Sequence, residues 1–424
     1  MSKKKRSLGR TLLMFALSRR WTGVVVVATA AKLVLILMSP PKERWGDFYD
    51  WVNLAQKVVV GVNAGHFPSL ATMGAYLGLS WLIAPLFWFW TVLPVQHPSL
   101  TEIAANPSVS YSLLLVMKLP ILVFDLATGL MLVKLVQQNN APGLGRRAFL
   151  SWYLNPYNWI WLYWYSTYDI IPTALVVLAV LLALRGRWLT SGFCLSFAFL
   201  LRLYPILLFP FFLFFAGKLN RRTVLRVAGS FVTPILFALV GISMAAGSSS
   251  VMTATLIGTP LRQGWLLLFY GVPITDSSII LTPFLLLAQL YLILLWTNKS
   301  FSLMHGTLAS LLLIFAGSYH HGYHFLWASP FLSANYDLDH DTLPMYVLLY
   351  VCAFLSPITY EGGVIPVLDP YYYPMLIVVE ALSAGAAIAC KLFYVLQLNI
   401  KAIGFNALSR YLANARTKMP KYGC

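Results

Sequence analysis

Residues 21–50 read WTGVVVVATAAKLVLILMSPPKERWGDFYD, and this stretch decides the fold class. Its first part, residues 21–38, is apolar and close to the roughly 20 residues that a membrane-spanning helix needs. Because no small-residue cleavage site follows, we expect a retained first helix and not a removed signal peptide. Asp47 and Asp50 come next, three positions apart, and share one face if this stretch is helical. Aromatic residues flank both carboxylates, as is typical of the membrane–water boundary.

The composition extends this interpretation to the whole chain. Of 424 residues, 59% are hydrophobic and only 10% are charged, whereas soluble domains carry about 25% charged residues. The sequence therefore predicts an all-α, multi-pass transmembrane protein of about ten to twelve spans, forming a single domain over residues 1–424. The segments that we expect to span lie near 21–38, 74–94, 110–135, 148–164, 170–184, 188–216 (two crossings, with a break near 203–205), 224–246, 279–296, 302–318, 324–336, 343–358 and 373–398.

Basic residues outnumber acidic ones, 30 to 13, and the net charge is +17. They occur in short clusters between apolar segments, a pattern that indicates the positive-inside rule and contact with anionic lipid, and not nucleic-acid binding. We expect a basic cytoplasmic tail at 1–20, a first extracytoplasmic loop at 39–73, which is the candidate catalytic loop, and a basic tail at 399–424. In this loop, Asp47 and Asp50 are either a general base with a supporting carboxylate or residues of a polar membrane-edge loop solvated by water. The four cysteines lack metal-ligand spacing, and we expect no disulfide framework.

The basic clusters also predict on which side the polar motifs lie. With the N-terminus in the cytoplasm, the later basic clusters are cytoplasmic only if residues 74–94 form a re-entrant or interfacial piece and do not cross once. The segments around Asp169, Arg202 and His324 then lie on the outer side together with Asp47. We therefore expect one extracytoplasmic face for the chemistry.

Lys118 and Asp125 lie seven residues apart inside the apolar segment 111–136. Seven residues are two helical turns, so both side chains point the same way. A charged residue at the centre of a membrane costs about 2.5–3.5 kcal/mol on insertion scales, and such residues usually face a cavity or a partner. For Asp125 we favour a structural role, in which it pairs with a basic residue of another helix.

Asp169 follows a segment rich in Trp and Tyr and precedes Pro172. Taken alone, this position favours an N-terminal helix cap, and a sugar site lined by aromatic rings is the alternative. Arg202 is the only charge in the run 189–216. Arginine stays charged and binds phosphate with two hydrogen bonds, so we favour a role in phosphate binding over a side chain that snorkels to the helix end.

Three of the seven histidines occur together, at His320, His321 and His324. No HExxH pattern supports zinc, so neutral donors to a phosphate or a sugar hydroxyl are the better interpretation. The run 337–341, with its three aspartates and one histidine, is more typical of a solvated loop than of a metal site.

These pieces occur in a fixed order along the chain. They are the acidic motif after the first helix, Lys118-Leu119-Pro120 with Asp125-Leu126, Asn155-Pro156 with Tyr168-Asp169-Ile170-Ile171-Pro172, Arg202-Leu203-Tyr204-Pro205, and His321 with His324-Phe325-Leu326-Trp327. Over residues 44–330 this order resembles the GT-C membrane glycosyltransferases. The similarity is greatest to mannosyltransferases that use polyprenyl- or dolichyl-phosphate mannose, such as the catalytic subunit of GPI mannosyltransferase I and the mycobacterial and archaeal lipid-glycan enzymes. The chain departs from the family in having Ser166-Thr167-Tyr168 where Gly-Gln usually precedes the aspartate, and DFYD in place of DxD.

The resemblance implies an inverting hexosyltransferase, most similar to a mannosyltransferase. Its donor is a lipid-phosphate sugar and its acceptor a lipid-linked glycan or glycolipid, at an extracytoplasmic active site. Asp47 and Asp50 are then catalytic, as base and supporting carboxylate, and Arg202 and His324 offset the charge of the leaving phosphate. We expect the substrate to contact Lys118, Asp169, Arg202, Tyr204, His321 and His324.

No cofactor is expected for this reaction, with a divalent cation left as an alternative. The enzyme would be an integral protein of the cell membrane in a prokaryote or of the endoplasmic reticulum membrane in a eukaryote, with membrane lipids around it. Two other classes stay open. In a transporter or lipid flippase, Lys118, Asp125 and Arg202 would belong to the transport pathway. A non-catalytic membrane subunit that has kept the fold is the third interpretation.

Overall fold

The computed structural model describes residues 19–38, 47–63, 77–97, 102, 111–138, 144–202, 204–246, 303–304, 306–308, 310–311, 322–336 and 350. All secondary structure in this part of the chain is helical, which confirms the all-α prediction there. In chain order its α-helices are α1 Arg19–Met38, α2 Asp47–Asn63, α3 Leu77–Val92, α4 Tyr111–Gln138, α5 Gly145–Tyr153, α6 Pro156–Trp159, α7 Ile170–Leu184, α8 Trp188–Leu201, α9 Phe209–Gly217, α10 Arg221–Ala246 and α11 Ser329–Tyr336.

Helix α4, with 28 residues, is long and apolar enough to cross a membrane. Among the described helices it alone meets both criteria, and α1, α3, α7, α8 and the segment Tyr204–Gly217 contain shorter apolar stretches. The prediction of ten to twelve crossings stays a prediction. The segments expected near 279–296, 343–358 and 373–398 lie outside the described residues, apart from residue 350.

The predicted single span 148–164 is wrong. The chain forms α5, then the short α6, and then a π-helical turn over Ile160–Trp164. Pro156 causes the break, since it has no N–H to donate and disfavours helical geometry at the residue before it. Asn155 stands there with ψ 116°, and its Oδ1 accepts a hydrogen bond from the Tyr157 backbone N–H at 3.0 Å. The segment 324–336 is likewise divided, into a 3₁₀ helix over Gly322–Trp327 and α11.

The break predicted near 203–205 is confirmed. Helix α8 ends at Leu201, a 3₁₀ helix covers Tyr204–Leu207, and α9 follows. Helices α7 and α8 form a hairpin whose turn contains Gly186 at φ 73°, a left-handed conformation that glycine adopts without steric cost. Helix α8 also packs closely on α10, because a β-carbon at Gly192 would lie 2.0 Å from Ser230 Oγ.

Helix directions follow from the contacts. Lys118 of α4 donates to the Ile36 carbonyl of α1. Asp125, which comes later in α4, pairs with Lys32, which comes earlier in α1. The two helices are therefore antiparallel. Tyr168, just before α7, donates to the Met117 carbonyl near the start of α4. The two helices pack against each other, and Arg185, just after α7, lies near Lys134 toward the end of α4, so α4 and α7 run in the same direction.

As a consequence, the described bundle has two unlike ends. One end gathers the turns α4–α5, α7–α8 and α9–α10, and we call it the basic end because each turn carries exposed Arg or Lys residues. The opposite end gathers the start of α4, the start of α7 and the end of α8, where Asp169 and Arg202 lie. The aromatic residues around Asp169 and the start of α2 belong to this second end.

Candidate functional site

A buried cluster of polar and aromatic side chains occupies the end of the bundle opposite the basic end. We call it the Asp169 cluster, and its members are Asp169, Arg202, Tyr204, His324 and Trp327. Asp169 precedes α7, Arg202 ends α8, Tyr204 begins the next 3₁₀ helix, and His324 and Trp327 come from the 3₁₀ helix Gly322–Trp327. The structure thus joins three of the motifs that the sequence singled out. All five side chains are buried.

The chain reaches Asp169 through an unusual backbone. After the π-helical turn, Ser166 adopts φ 63°, the left-handed region that a residue with a β-carbon rarely visits. Asp169 then stands at the N-cap position of α7, but its carboxylate accepts no capping hydrogen bond. The prediction of a simple N-cap is therefore wrong. The physical reason is that a guanidinium lies within reach and competes more strongly for the carboxylate than a backbone N–H does.

Both oxygens of the Asp169 carboxylate accept hydrogen bonds from distant parts of the chain. Arg202 Nε donates to Oδ1 and forms an ion pair with it, and Trp327 Nε1 donates to Oδ2 at 3.2 Å. Asp169 is fully buried and Arg202 is 5% exposed. A charge buried to this degree needs a partner, and these two supply it to each other. Arg202 was predicted to offset the charge of a leaving phosphate, whereas here its guanidinium already faces a carboxylate.

Trp327 is the centre of an aromatic stack in this cluster. The Tyr204 ring lies parallel to it, with centroids 4.0 Å apart and planes 10° apart. The His324 ring also contacts the indole, with ring centroids 4.5 Å apart and planes tilted by 33°. Stacked aromatic pairs contribute about 0.5–1.5 kcal/mol beyond the area that they bury. His324 and Tyr204, predicted as substrate contacts, therefore fix the position of the indole that bonds Asp169.

The remaining predicted residues lie nearby or outside the described part. Lys118 is buried, and its Nζ lies 3.5 Å from the Ile36 carbonyl. Asp47 and Asp50 lie in the first turn of α2, so part of the expected loop 39–73 is helical, and their side chains lie outside the described residues. Trp51, the residue after Asp50, meets Tyr168 edge-on at 6.4 Å between ring centroids, which brings the start of α2 close to Asp169.

His320, His321 and the acidic run 337–341 lie outside the described residues. The catalytic roles of Asp47 and Asp50 stay predictions, as do the substrate contacts of Lys118, Asp169, Arg202, Tyr204, His321 and His324.

A second buried ion pair lies between α1 and α4. Lys32 Nζ donates to Asp125 Oδ2 at 2.6 Å, and both side chains are 1% exposed. Tyr163 donates its hydroxyl to the same oxygen. The Lys32 ammonium also lies 3.1 Å from the centre of the Tyr153 ring, a cation–π contact. The structural role favoured for Asp125 is thus confirmed, with Lys32 as the partner from another helix.

Two residues of these clusters were missed from the sequence. Lys32 was overlooked although it is the sole charge in the apolar run 21–38, which is itself a signal that it faces a partner. Trp327 carried no such signal, because one tryptophan among 14 says nothing about which of them bonds a carboxylate. Its role depends on a contact across 158 residues of chain.

Within the described residues, the two carboxylates of this core each neutralise one buried cation. Each carboxylate also accepts a hydrogen bond from an aromatic side chain, Asp125 from Tyr163 and Asp169 from Trp327. Such an arrangement holds helices together, and the groups in it are already bonded to each other. It offers a fixed polar anchor in the helix bundle.

The sequence matches a family model described as GPI transamidase subunit PIG-U over residues 82–275. The match extends from α3 past the end of α10 and so includes Asp125, Asp169 and Arg202, in slightly less than half of the chain. No curated protein matches the chain.

This match overturns several predictions. The chain is similar to a subunit of a GPI transamidase and not to a mannosyltransferase or a transporter. The hexosyltransferase activity, the lipid-phosphate sugar donor and the lipid-linked glycan acceptor are therefore withdrawn. The resemblance to GT-C enzymes depended on short motifs in a shared order. Three charged residues of those motifs, Asp125, Asp169 and Arg202, pair with one another or with Lys32.

Proposed function

We propose that this chain is a non-catalytic, multi-pass membrane subunit of a GPI transamidase complex, with a role of the PIG-U type. The match over residues 82–275 is the observation that carries the proposal. It includes the whole described bundle from α3 to α10. The complex attaches GPI to a peptide, so the partners of this chain are other protein subunits. This is the third class that the sequence left open.

The two buried ion pairs support a scaffold role. A subunit that presents surfaces to partners needs helices held in a fixed arrangement within a membrane, where apolar contacts between helices give no hydrophobic driving force. Lys32–Asp125 ties α1 to α4, and Asp169–Arg202 ties the start of α7 to the end of α8. No cofactor is needed for such a role.

We further propose that the protein crosses the membrane several times with the basic end in the cytoplasm. The positive-inside rule places short basic turns on that side. Because α1 and α4 are antiparallel, the chain between them crosses the membrane an even number of times or not at all. This agrees with the prediction that residues 74–94 do not form a single crossing. The Asp169 cluster and the start of α2 then lie toward the opposite side, in the endoplasmic reticulum lumen of a eukaryotic cell.

The test is replacement of the PIG-U subunit in cells that lack it. We expect this chain to restore GPI attachment, measured as the surface amount of a GPI-anchored reporter protein, and to purify with the transamidase subunits from a mild detergent extract. A matched reporter with a transmembrane anchor in place of the GPI signal controls for general secretion.

Two results would contradict the proposal. One is a chain that reaches the membrane at normal abundance, does not purify with the transamidase subunits and leaves the GPI-anchored reporter inside the cell. The other is a chain whose GPI attachment activity appears without any other subunit, because that would make it the enzyme.

A further inference from the structure

The basic end of the bundle carries a high density of exposed positive charge. Its exposed cations come from three turns: Arg146 and Arg147 from α4–α5, Arg185 and Arg187 from α7–α8, and Lys218, Arg221, Arg222 and Arg226 from α9–α10. The sequence has no acidic residue between Asp125 and Asp169 or between Asp169 and Asp276. The segments that build this end therefore contain no carboxylate of their own.

The contacts place these turns side by side. Gly192, near the start of α8, lies against Val227 and Ser230, near the start of α10, so the α7–α8 and α9–α10 turns are neighbours. Gly145, at the start of α5, lies against Val133 near the end of α4. Helices α4 and α7 pack against each other, and Arg185, just after α7, lies near Lys134 toward the end of α4, so the α7–α8 turn neighbours this end of α4. A surface of this kind attracts anions.

Exposed apolar side chains alternate with the cations at the same end. In the α7–α8 turn, Leu184 and Leu189 are 37% and 52% exposed on either side of Arg185 and Arg187. In the α9–α10 turn, Leu219 and Leu225 are 60% and 71% exposed beside Arg221 and Arg222. A nucleic acid, or a peptide made of acidic residues alone, would leave these leucines in water. A lipid leaflet satisfies both kinds of side chain, because headgroup phosphates meet the arginines and acyl chains meet the leucines.

We infer that the basic end is a binding surface for the headgroups of anionic phospholipids in the leaflet that it faces. Arg185 and Arg187 form one part of it and Arg221 and Arg222 the other, with Lys218 beside them over the Phe214 ring at 4.8 Å. The surface keeps the three turns in the headgroup layer. The inference depends on the membrane embedding proposed above and is independent of the transamidase assignment.

The experiment uses the purified full chain in vesicles of phosphatidylcholine that contain spin-labelled lipid. The fraction of motionally restricted label is measured for spin-labelled phosphatidylserine and for spin-labelled phosphatidylcholine. For the parent protein we expect a several-fold preference for phosphatidylserine, because one basic residue near an anionic surface contributes a factor of roughly five. The preference should fall as salt is raised from about 0.05 M to about 0.5 M, since salt screens exposed charges.

Two variants with matched positions separate charge from folding. In the first, Arg185, Arg187, Arg221 and Arg222 are all replaced by Gln, and we expect the preference to fall by more than about twofold, although the other basic residues of this end remain. In the second, the same four residues are replaced by Lys, and the preference should stay within about twofold of the parent. The exposed Lys57 of α2, replaced by Gln, controls for loss of a charge elsewhere.

Three outcomes would overturn the inference. The first is a parent protein without a lipid preference, and the second is an equal preference in the Gln variant. The third is a parent protein that binds a soluble polyglutamate peptide at this end but shows no lipid preference, which would identify an acidic protein partner. If alkaline carbonate extracts the protein from the vesicles, the membrane embedding fails and this inference fails with it, whereas a protein that stays embedded without a preference contradicts this inference alone.

Discussion

The two buried ion pairs differ in what they join. Lys32–Asp125 lies between interior positions of α1 and α4, two helices whose backbone hydrogen bonds are already made within each helix. Asp169–Arg202 joins the start of α7 to the end of α8 and, through Trp327, to a segment 158 residues after Asp169. The first pair fixes how two helices align. The second holds together helix ends that come from separate parts of the sequence.

The two carboxylates are also satisfied differently. Both oxygens of Asp169 accept hydrogen bonds. For Asp125, Oδ2 accepts from Lys32 and from Tyr163, whereas Oδ1 has no hydrogen-bond partner among the described residues. A buried carboxylate oxygen without a donor loses hydration that nothing replaces. The stability of the first pair therefore depends more strongly on each of its donors than that of the second.

Removal of Lys32 should give the largest effect. Lys32→Met leaves Asp125 charged and buried without its cation, and we expect a loss of about 4 kcal/mol in the free energy of unfolding. The double variant Lys32→Met, Asp125→Leu removes both charges and should lie within about 1 kcal/mol of the parent protein. Chemical unfolding in mixed micelles measures both values.

The exposed Lys57, replaced by Met, provides the control, with an expected change below about 0.5 kcal/mol. If the Lys32 and Asp125 losses simply add in the double variant, the two side chains do not act as a pair and the comparison made above fails.

Removal of the Asp169 carboxylate should come second and act locally. Asp169→Ala leaves Arg202 without this carboxylate and Trp327 without its acceptor, and we expect a loss of about 3 kcal/mol, near the lower limit for a buried pair. Hydrogen exchange should quicken in residues 322–336, because Trp327 anchors that segment through Asp169.

Lys32→Met serves as the comparison, since it should leave exchange in 322–336 unchanged relative to the rest of the bundle. Equal protection of 322–336 in Asp169→Ala and in the parent protein would show that the pair does not assemble the helix ends.

The sequence predicted some of this architecture for physical reasons that are local. The first helix and the helix near 110–135 were found because an apolar run of that length has few other structures available. The break near 203–205 was found because proline ends a helix. The shared face of Lys118 and Asp125 follows from helical periodicity, and in the structure both contact α1.

The predictions that failed concern residues whose positions depend on contacts between distant parts of the chain. Asp169 has the local sequence of a helix cap, and only the approach of Arg202, 33 residues away, draws its carboxylate elsewhere. The functional prediction failed for the same reason. A carboxylate, an arginine and a histidine in an apolar chain are compatible with catalysis and equally with a set of groups that neutralise each other, and only their distances separate the two.

Removal of the tyrosine donor of the first pair should have an intermediate effect. Tyr163→Phe deletes the hydroxyl that donates to Asp125, and a hydrogen bond to a charged group contributes about 2 kcal/mol. Tyr153→Phe is the matched control, because its hydroxyl lies 2.7 Å from the neutral Thr29 Oγ1 and the same change should cost about 1 kcal/mol. Unfolding free energies of equal size for the two variants would show that the charge on Asp125 does not strengthen its bond.

The smallest effect should come from Arg202→Lys. The recorded bond to Asp169 uses Nε, a position that lysine cannot reproduce, but an ammonium keeps the positive charge within the cluster. We therefore expect a loss of about 1 kcal/mol, against about 3 kcal/mol for Arg202→Gln, which removes the charge. Chemical unfolding and exchange in residues 322–336 measure both. Equal losses of unfolding free energy for Arg202→Lys and Arg202→Gln would mean that the shape of the guanidinium, and not its charge, holds the helix ends together. Charge neutralisation would then be a feature of the Lys32–Asp125 pair alone.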